Sequence, residues 1–284
     1  MTAGMAKTDS LTLIRGLLDA EAQRDASGIL ARLTSDFSEE YPQSGERIAG
    51  PANAVAAALA DPNPLILESP RMTPCGESLV LVEARVAGAT EQPWVVSLYE
   101  LSGALVQRRT TYLAAPFAAP AWRARWVEAI PNDPTSLGAE VGTEVEHSLV
   151  QRYARALAAN DLERLGQMRH AEWVADLPQS GERFRGHAAV VGADRDYPGG
   201  LPTGAEQHLR GADDRWALTP SYVPLRIDGR GLHWVSESEL TYATGEQVHG
   251  VALLTFRDGK AIAERWYYCA ALEPAAWRRP WTQG

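Results

Sequence analysis

Between residues 149 and 165 apolar positions recur at helical spacing: Leu149, Val150, Tyr153, Leu157, Leu162 and Leu165 share one face of a 3.6-residue period. The run breaks at Ala159-Asn160-Asp161, which reads as a helix end followed by a new N-cap, so a helix pair is predicted. Short helices are expected over 52–59 and 187–191, and from there the alternation falls to two. Segments 79–86, 94–99 and 105–113, and again 234–242, 248–256 and 261–269, are rich in Val, Leu, Tyr and Trp and predict strands. Residues 101–104 and 257–260 carry the glycine that a tight hairpin turn needs.

The pattern occurs twice because the chain repeats itself. Pro42-Gln43-Ser44-Gly45-Glu46-Arg47 returns as Pro178-Gln179-Ser180-Gly181-Glu182-Arg183, a displacement of 178 − 42 = 136. Without a gap, Asp25 then falls on Asp161, Phe37 on Trp173 and Leu17 on Tyr153. Later, Gly103-x-x-Val106-x-x-Arg109-x-x-Tyr112 matches Gly259-x-x-Ile262-x-x-Arg265-x-x-Tyr268 at 259 − 103 = 156, and Trp122-Arg123 matches Trp277-Arg278. The second copy therefore carries about twenty extra residues, expected as a Gly/Pro-rich loop near 192–232 and a candidate lid. The expected domains are 9–130 and 144–284, joined by a Pro-rich linker over 131–143.

Helices followed by an antiparallel meander give an α+β class. Two tandem cone-shaped domains are expected, each a curved, mostly antiparallel sheet wrapped around N-terminal helices and leaving a pocket between them. Pairing of the copies as an intramolecular pseudo-dimer is the expected arrangement, with further oligomerisation left open. A formal charge of −9 over 284 residues, with no basic stripe, argues against nucleic acid as a partner. No apolar run approaches a membrane span and no signal-like start is evident, so a cytoplasmic, non-membrane protein is expected. The two cysteines, Cys75 and Cys269, fall one per copy, and the six histidines show no metal-ligand spacing, so neither a metal nor a cofactor is expected.

The order of elements resembles the nuclear transport factor 2-like superfamily, which includes ketosteroid isomerases, SnoaL-like polyketide cyclases and limonene epoxide hydrolases. The resemblance is carried by Val150-Gln151-Arg152-Tyr153 with Asn160-Asp161-Leu162, which are similar to the first helices of bacterial ketosteroid isomerases. It is carried as well by PQSGERxxG with the terminal AWRxxW, which are similar to SnoaL-like proteins. It implies Asp176 as general base, with Glu40 at the same place in copy one, and Tyr153 as oxyanion donor where copy one has Leu17. The isomerases' second donor is replaced by Ala252 and Val96. The hydrolases' Asp-Arg-Asp set is not matched by Glu83-x-Arg85 or Glu237-x-Glu239.

On the last strand Ile262, Glu264, Trp266 and Tyr268 alternate onto one face, where Trp266 and Tyr268 with Trp173 would line a pocket for a flat ligand. His249 on the neighbouring strand is an alternative base. Trp122, Trp126, Trp277 and Trp281 are expected to dock the terminal arms. Three readings follow. One is a cofactor-independent isomerase, cyclase or hydrolase acting on a small hydrophobic molecule. Another is a non-catalytic carrier or sensor with the same pocket, and the last is a structural or partner-binding pseudo-dimer.

Overall fold

The computed structural model describes residues 6–89, 91–131, 145–200, 203–210, 216–219, 231–242 and 244–283. Apart from residue 131, the predicted linker lies outside the described residues. The chain forms two compact units, Met1–Ala115 with Ala271–Gly284, and Pro116–Ala270. Each unit thus contains the arm that follows the other repeat's last long strand in sequence.

Unit 1 runs α1 (Ala6–Ala22), α2 (Ala26–Leu30), β1 (Leu33–Tyr41), β2 (Glu46–Ala49), α3 (Pro51–Ala60), β3 (Leu67–Pro74), β4 (Leu79–Val86), β5 (Trp94–Ser102) and β6 (Leu105–Ala114). Unit 2 opens with β7 (Val127–Ala129) and continues α4 (His147–Ala158), α5 (Leu162–Met168), β8 (Arg169–Leu177), β9 (Glu182–Arg185) and α6 (His187–Arg195). It then adds β10 (Thr203–Arg210), β11 (Trp216–Thr219), β12 (His233–Thr241), β13 (Gln247–Arg257) and β14 (Lys260–Ala270). The last strand of the chain, β15 (Thr282–Gln283), belongs to the sheet of unit 1.

The sheets are ordered β15-β2-β1-β6-β5-β4-β3 and β11-β10-β12-β13-β14-β8-β9-β7. Both are mixed, because β1 runs parallel to β6 and β8 parallel to β14, while their other pairs are antiparallel.

The helix pair of unit 2 breaks where the sequence predicted. Asn160 takes a positive φ of 48°, and the Asp161 carboxylate accepts from the backbone N–H of Arg164 at 3.0 Å, capping α5. Beyond the helices, the repeated Pro-Gln-Ser-Gly turn depends on Gly45 and Gly181, whose φ values of 71° and 74° would strain any side chain. Apolar faces of helix and sheet then meet: Val150, Tyr153, Leu165, Trp173, Leu254 and Phe256 pack together in unit 2, and Ile14, Leu17, Ile29, Phe37, Val82 and Tyr99 in unit 1.

The strand registers correct the repeat alignment. Ser102 pairs with Leu105 and Arg257 with Lys260, so the hairpins correspond at 257 − 102 = 155, one residue less than the glycine match suggests. Gly103 therefore stands opposite Asp258 rather than Gly259, and the second copy is longer by 155 − 136 = 19 residues. Most of that length lies after β10: Met72 and Leu209 hold matching places at 209 − 72 = 137, and Val82 and Ser236 at 236 − 82 = 154. The stretch expected as a loop thus contains strand β10, and the added residues contribute β11 to the edge of the sheet.

Candidate functional site

Inside unit 2, the face of the sheet turned toward the helices carries a buried polar centre. Glu264 on β14 accepts on one carboxylate oxygen from the Tyr153 hydroxyl, from Arg169 at 3.1 Å and from the Trp173 indole at 3.0 Å. Its other oxygen accepts from the Trp266 indole at 2.7 Å. Arg169, at the start of β8, also donates to the Tyr153 hydroxyl at 3.0 Å and lies 3.8 Å over the Trp173 ring. Burial and the neighbouring Glu264 charge push the Tyr153 phenol well above its ordinary range, so it remains a neutral donor.

Helix α6 adds a second layer. Arg169 donates to Nδ1 of His187 at 2.9 Å, which places the neutral imidazole's proton on Nε2. Burial, and then the Arg169 charge, hold the His187 pKa below its usual value. Two turns on, Asp194 is only partly exposed, and burial raises its pKa to about 6 against the opposing pull of Arg169. Among the described residues no hydrogen bond reaches this carboxyl. Ala189, Val190 and Ala193 of the same helix pack on the cluster that Trp266 and Tyr268 border, and those two rings stack at 6.4 Å with 15° between planes.

The residues singled out from the sequence divide between two faces. Tyr153, Trp173, Trp266 and Tyr268 come together on the helix side. Asp176 does not join them: it is bound by Arg183 at 2.6 and 2.9 Å, and it stands opposite Arg265 on β14, on the far face of the sheet. His249, paired in register with Cys269, shares that far face. Glu40 is placed in the same way in unit 1, with Arg47 at 3.8 Å and Arg108 at 3.7 Å. In both copies, then, this acid pairs with the arginine of the repeated motif. Ile262 also leaves the expected face. A register shift between Ala261 and Ala263 turns it toward Val174.

Unit 1 has its own interior ion cluster, with the charges exchanged. Arg109 on β6 donates to Glu39 at 2.9 Å and to Glu21 at 2.6 Å, while the Tyr41 hydroxyl donates to Glu39 at 2.6 Å. Burial raises the Glu21 pKa against the pull of Arg109. Arg109 faces Glu39 in the register, as Glu264 faces Ala175, so the two last strands put opposite charges at equivalent places.

No protein-family model and no curated protein matches the sequence. Solved structures do. A nuclear transport factor 2-like protein of unknown function from Burkholderia xenovorans is 29% identical, with a TM-score of 0.41, over 45% of this chain and 100% of its own. A candidate ketosteroid isomerase from Kribbella flavida is 25% identical (TM-score 0.40; 44% of this chain, 93% of its own). A candidate SnoaL-like polyketide cyclase from a Jannaschia species is 16% identical (TM-score 0.33; 40% and 90%). The structural neighbours include nuclear transport factor 2-like, SnoaL-like and ketosteroid isomerase-like proteins.

Both units run from helices into sheet. The sequence puts Glu264 on the inner face and Arg109 in the repeat without a role for either, and does not single out Arg169, Asp194, Glu21 or Glu39. Glu264 had a usable signal: a charged residue between the apolar Ile262 and Trp266 on a strand assigned to the core needs a buried partner. Asp194 had none beyond its place seven residues after His187 on one helix face.

Proposed function

We propose that the interior of unit 2 binds a small, largely hydrophobic molecule without a cofactor, and that Asp194 exchanges a proton with it. The observation carrying this reading is the Asp194 carboxyl. It has no hydrogen-bond partner among the described residues, it lies within the influence of Arg169, and its pKa of about 6 suits proton transfer near neutrality. The stacked, partly buried Trp266 and Tyr268 offer flat apolar surface to a ring system. Isomerisation, ring closure or hydrolysis by acid–base chemistry fits this arrangement.

A second reading, a carrier or sensor, draws support from Tyr153 and Glu264. The phenol donates to Glu264 and accepts from Arg169, so it has no proton left for a substrate oxyanion. Steroid-like and polyketide-like compounds screened by thermal shift and for turnover separate the two. Under the enzyme reading, Asp194→Asn retains binding and loses turnover while Trp266→Ala loses both. Binding without turnover in the wild type leaves the carrier. No ligand that distinguishes wild type from Trp266→Ala overturns both.

A further inference from the structure

The motif repeated in both copies binds an arm in each unit, and it does so in the same way twice. In unit 1, β15 adds to β2 with Thr282 opposite Ile48 and Gln283 opposite Arg47. In unit 2, β7 adds to β9 with Val127 opposite Phe184 and Glu128 opposite Arg183. The offsets agree with the repeat, 283 − 128 = 155 for the arms and 183 − 47 = 136 for the motif.

The side chains repeat as well. Arg278 donates from Nε and Nη2 to Glu46 at 3.2 and 2.5 Å, and Arg123 from the same atoms to Glu182 at 3.0 and 2.5 Å. The backbone N–H of Leu272 reaches the Gln43 carbonyl at 2.9 Å, and that of Phe117 the Gln179 carbonyl at 3.2 Å. Both glutamates and both arginines are largely withdrawn from water, where a two-pronged guanidinium–carboxylate pair is most selective.

We propose that the Gln-Ser-Gly-Glu-Arg edge is a recognition site for an extended segment carrying Trp-Arg ahead of a short strand, and that either arm of this chain fits either unit. Three features of the edge define its ligand. The outer edge of β2 or β9 takes the backbone, as in peptide recognition by strand addition. The buried glutamate reads the arginine. An aromatic surface takes the tryptophans: Trp277 and Trp281 pack on the core of unit 1, and Trp126 lies so close to Gly192 that a Cβ there would stand 2.4 Å from the ring. The sites differ in that Arg278 also lies 3.9 Å over the Tyr41 ring, where the second copy has Leu177.

The test uses the full chain carrying Arg278→Ala, whose own arm is loosened, and a fluorescein-labelled peptide of residues 271–284 followed by anisotropy. Saturable binding is expected, at least about tenfold tighter than to the wild-type chain, whose site is filled. Unlabelled peptide 116–130 should displace it at concentrations within about tenfold of those needed by 271–284 itself. Adding Glu46→Gln to the chain, or Arg278→Ala to the peptide, should weaken binding by about tenfold or more. If Arg278→Ala does not fold, Trp277→Ala serves as the host with the same expectations. Absence of peptide binding to a folded host overturns the recognition site. Equal binding by the Arg278→Ala peptide does so too. Failure of 116–130 to compete overturns the interchange of arms.

Discussion

Glu264 and Arg109 hold the same register place on the last long strand of their units, opposite Ala175 and Glu39, and so give the two interiors opposite charge at one position. Each is neutralised locally, Glu264 by Arg169 and Arg109 by Glu39 and Glu21. Removing one member of such a pair strands its partner in a poorly hydrated interior. Glu264→Gln should therefore destabilise unit 2 by about 3–5 kcal/mol, and combining it with Arg169→Met should recover much of the loss. Urea denaturation followed by tryptophan fluorescence measures both. A loss of only about 0–1 kcal/mol, the scale of an exposed ion pair, would contradict the assignment.

Asp194 should make stability fall with rising pH. Its folded pKa of about 6 lies above the ordinary 3.8, so between these values the folded chain holds a proton that the unfolded chain releases. The penalty is absent well below the ordinary value of 3.8, grows up to about pH 6 and stays constant above it. Asp194→Asn should leave stability nearly unchanged at about pH 3 and raise it at pH 7, by about 1 kcal/mol once solvent screening of a partly exposed group is allowed for. A stability difference between the two proteins that stays constant from about pH 3 to pH 7 would refute this.

Asp176 should behave in the opposite manner in function. Asp176, 2% exposed, is fixed by Arg183, so Asp176→Ala should cost about 3–5 kcal/mol of stability by removing the carboxylate that binds the buried guanidinium. Where the variant remains folded, ligand affinity in unit 2 should stay within about threefold of wild type, because the side chain stands on the other face of the sheet. A selective loss of turnover or binding at normal stability would return Asp176 to the site.

Gln179 should be as sensitive as a core residue although it belongs to a turn. Its amide donates to the Tyr268 carbonyl at 2.9 Å and accepts from the Tyr268 N–H at 2.6 Å, as Gln43 does with Leu113. Gln179→Leu leaves two backbone groups unpaired and should cost about 1–3 kcal/mol per unsatisfied group. Amide exchange at Tyr268 reports the local loss, and unchanged protection there would argue against it.

Periodicity revealed most of the fold. Leu149 through Leu165 gave the helix pair, and the alternating segments gave β4 to β6 and β12 to β14, because burial of one face imposes the pattern directly. The short arm strands were hidden, since Thr282–Gln283 and Val127–Ala129 are too brief to show a period. The face of Asp176 is legible in the sequence, because a residue three positions from Trp173 on one strand has to point the other way. The slip of one residue between the copies was not legible, because Gly103 and Gly259 invite a match that only the hairpin pairing corrects. The motif itself showed that the chain is duplicated but not what Gln179, Glu182 and Arg183 do. Their partners, Tyr268, Arg123 and Asp176, are named by folding and not by spacing.

The arms also decide how each sheet ends. With β15 on β2 and β7 on β9, the outermost strands on that side are two and three residues long. So short an edge offers too few unpaired backbone groups to template the stacking of further chains. Without the arms, β2 and β9 would themselves be the edges on that side, so the two arms keep these four-residue strands paired on both flanks.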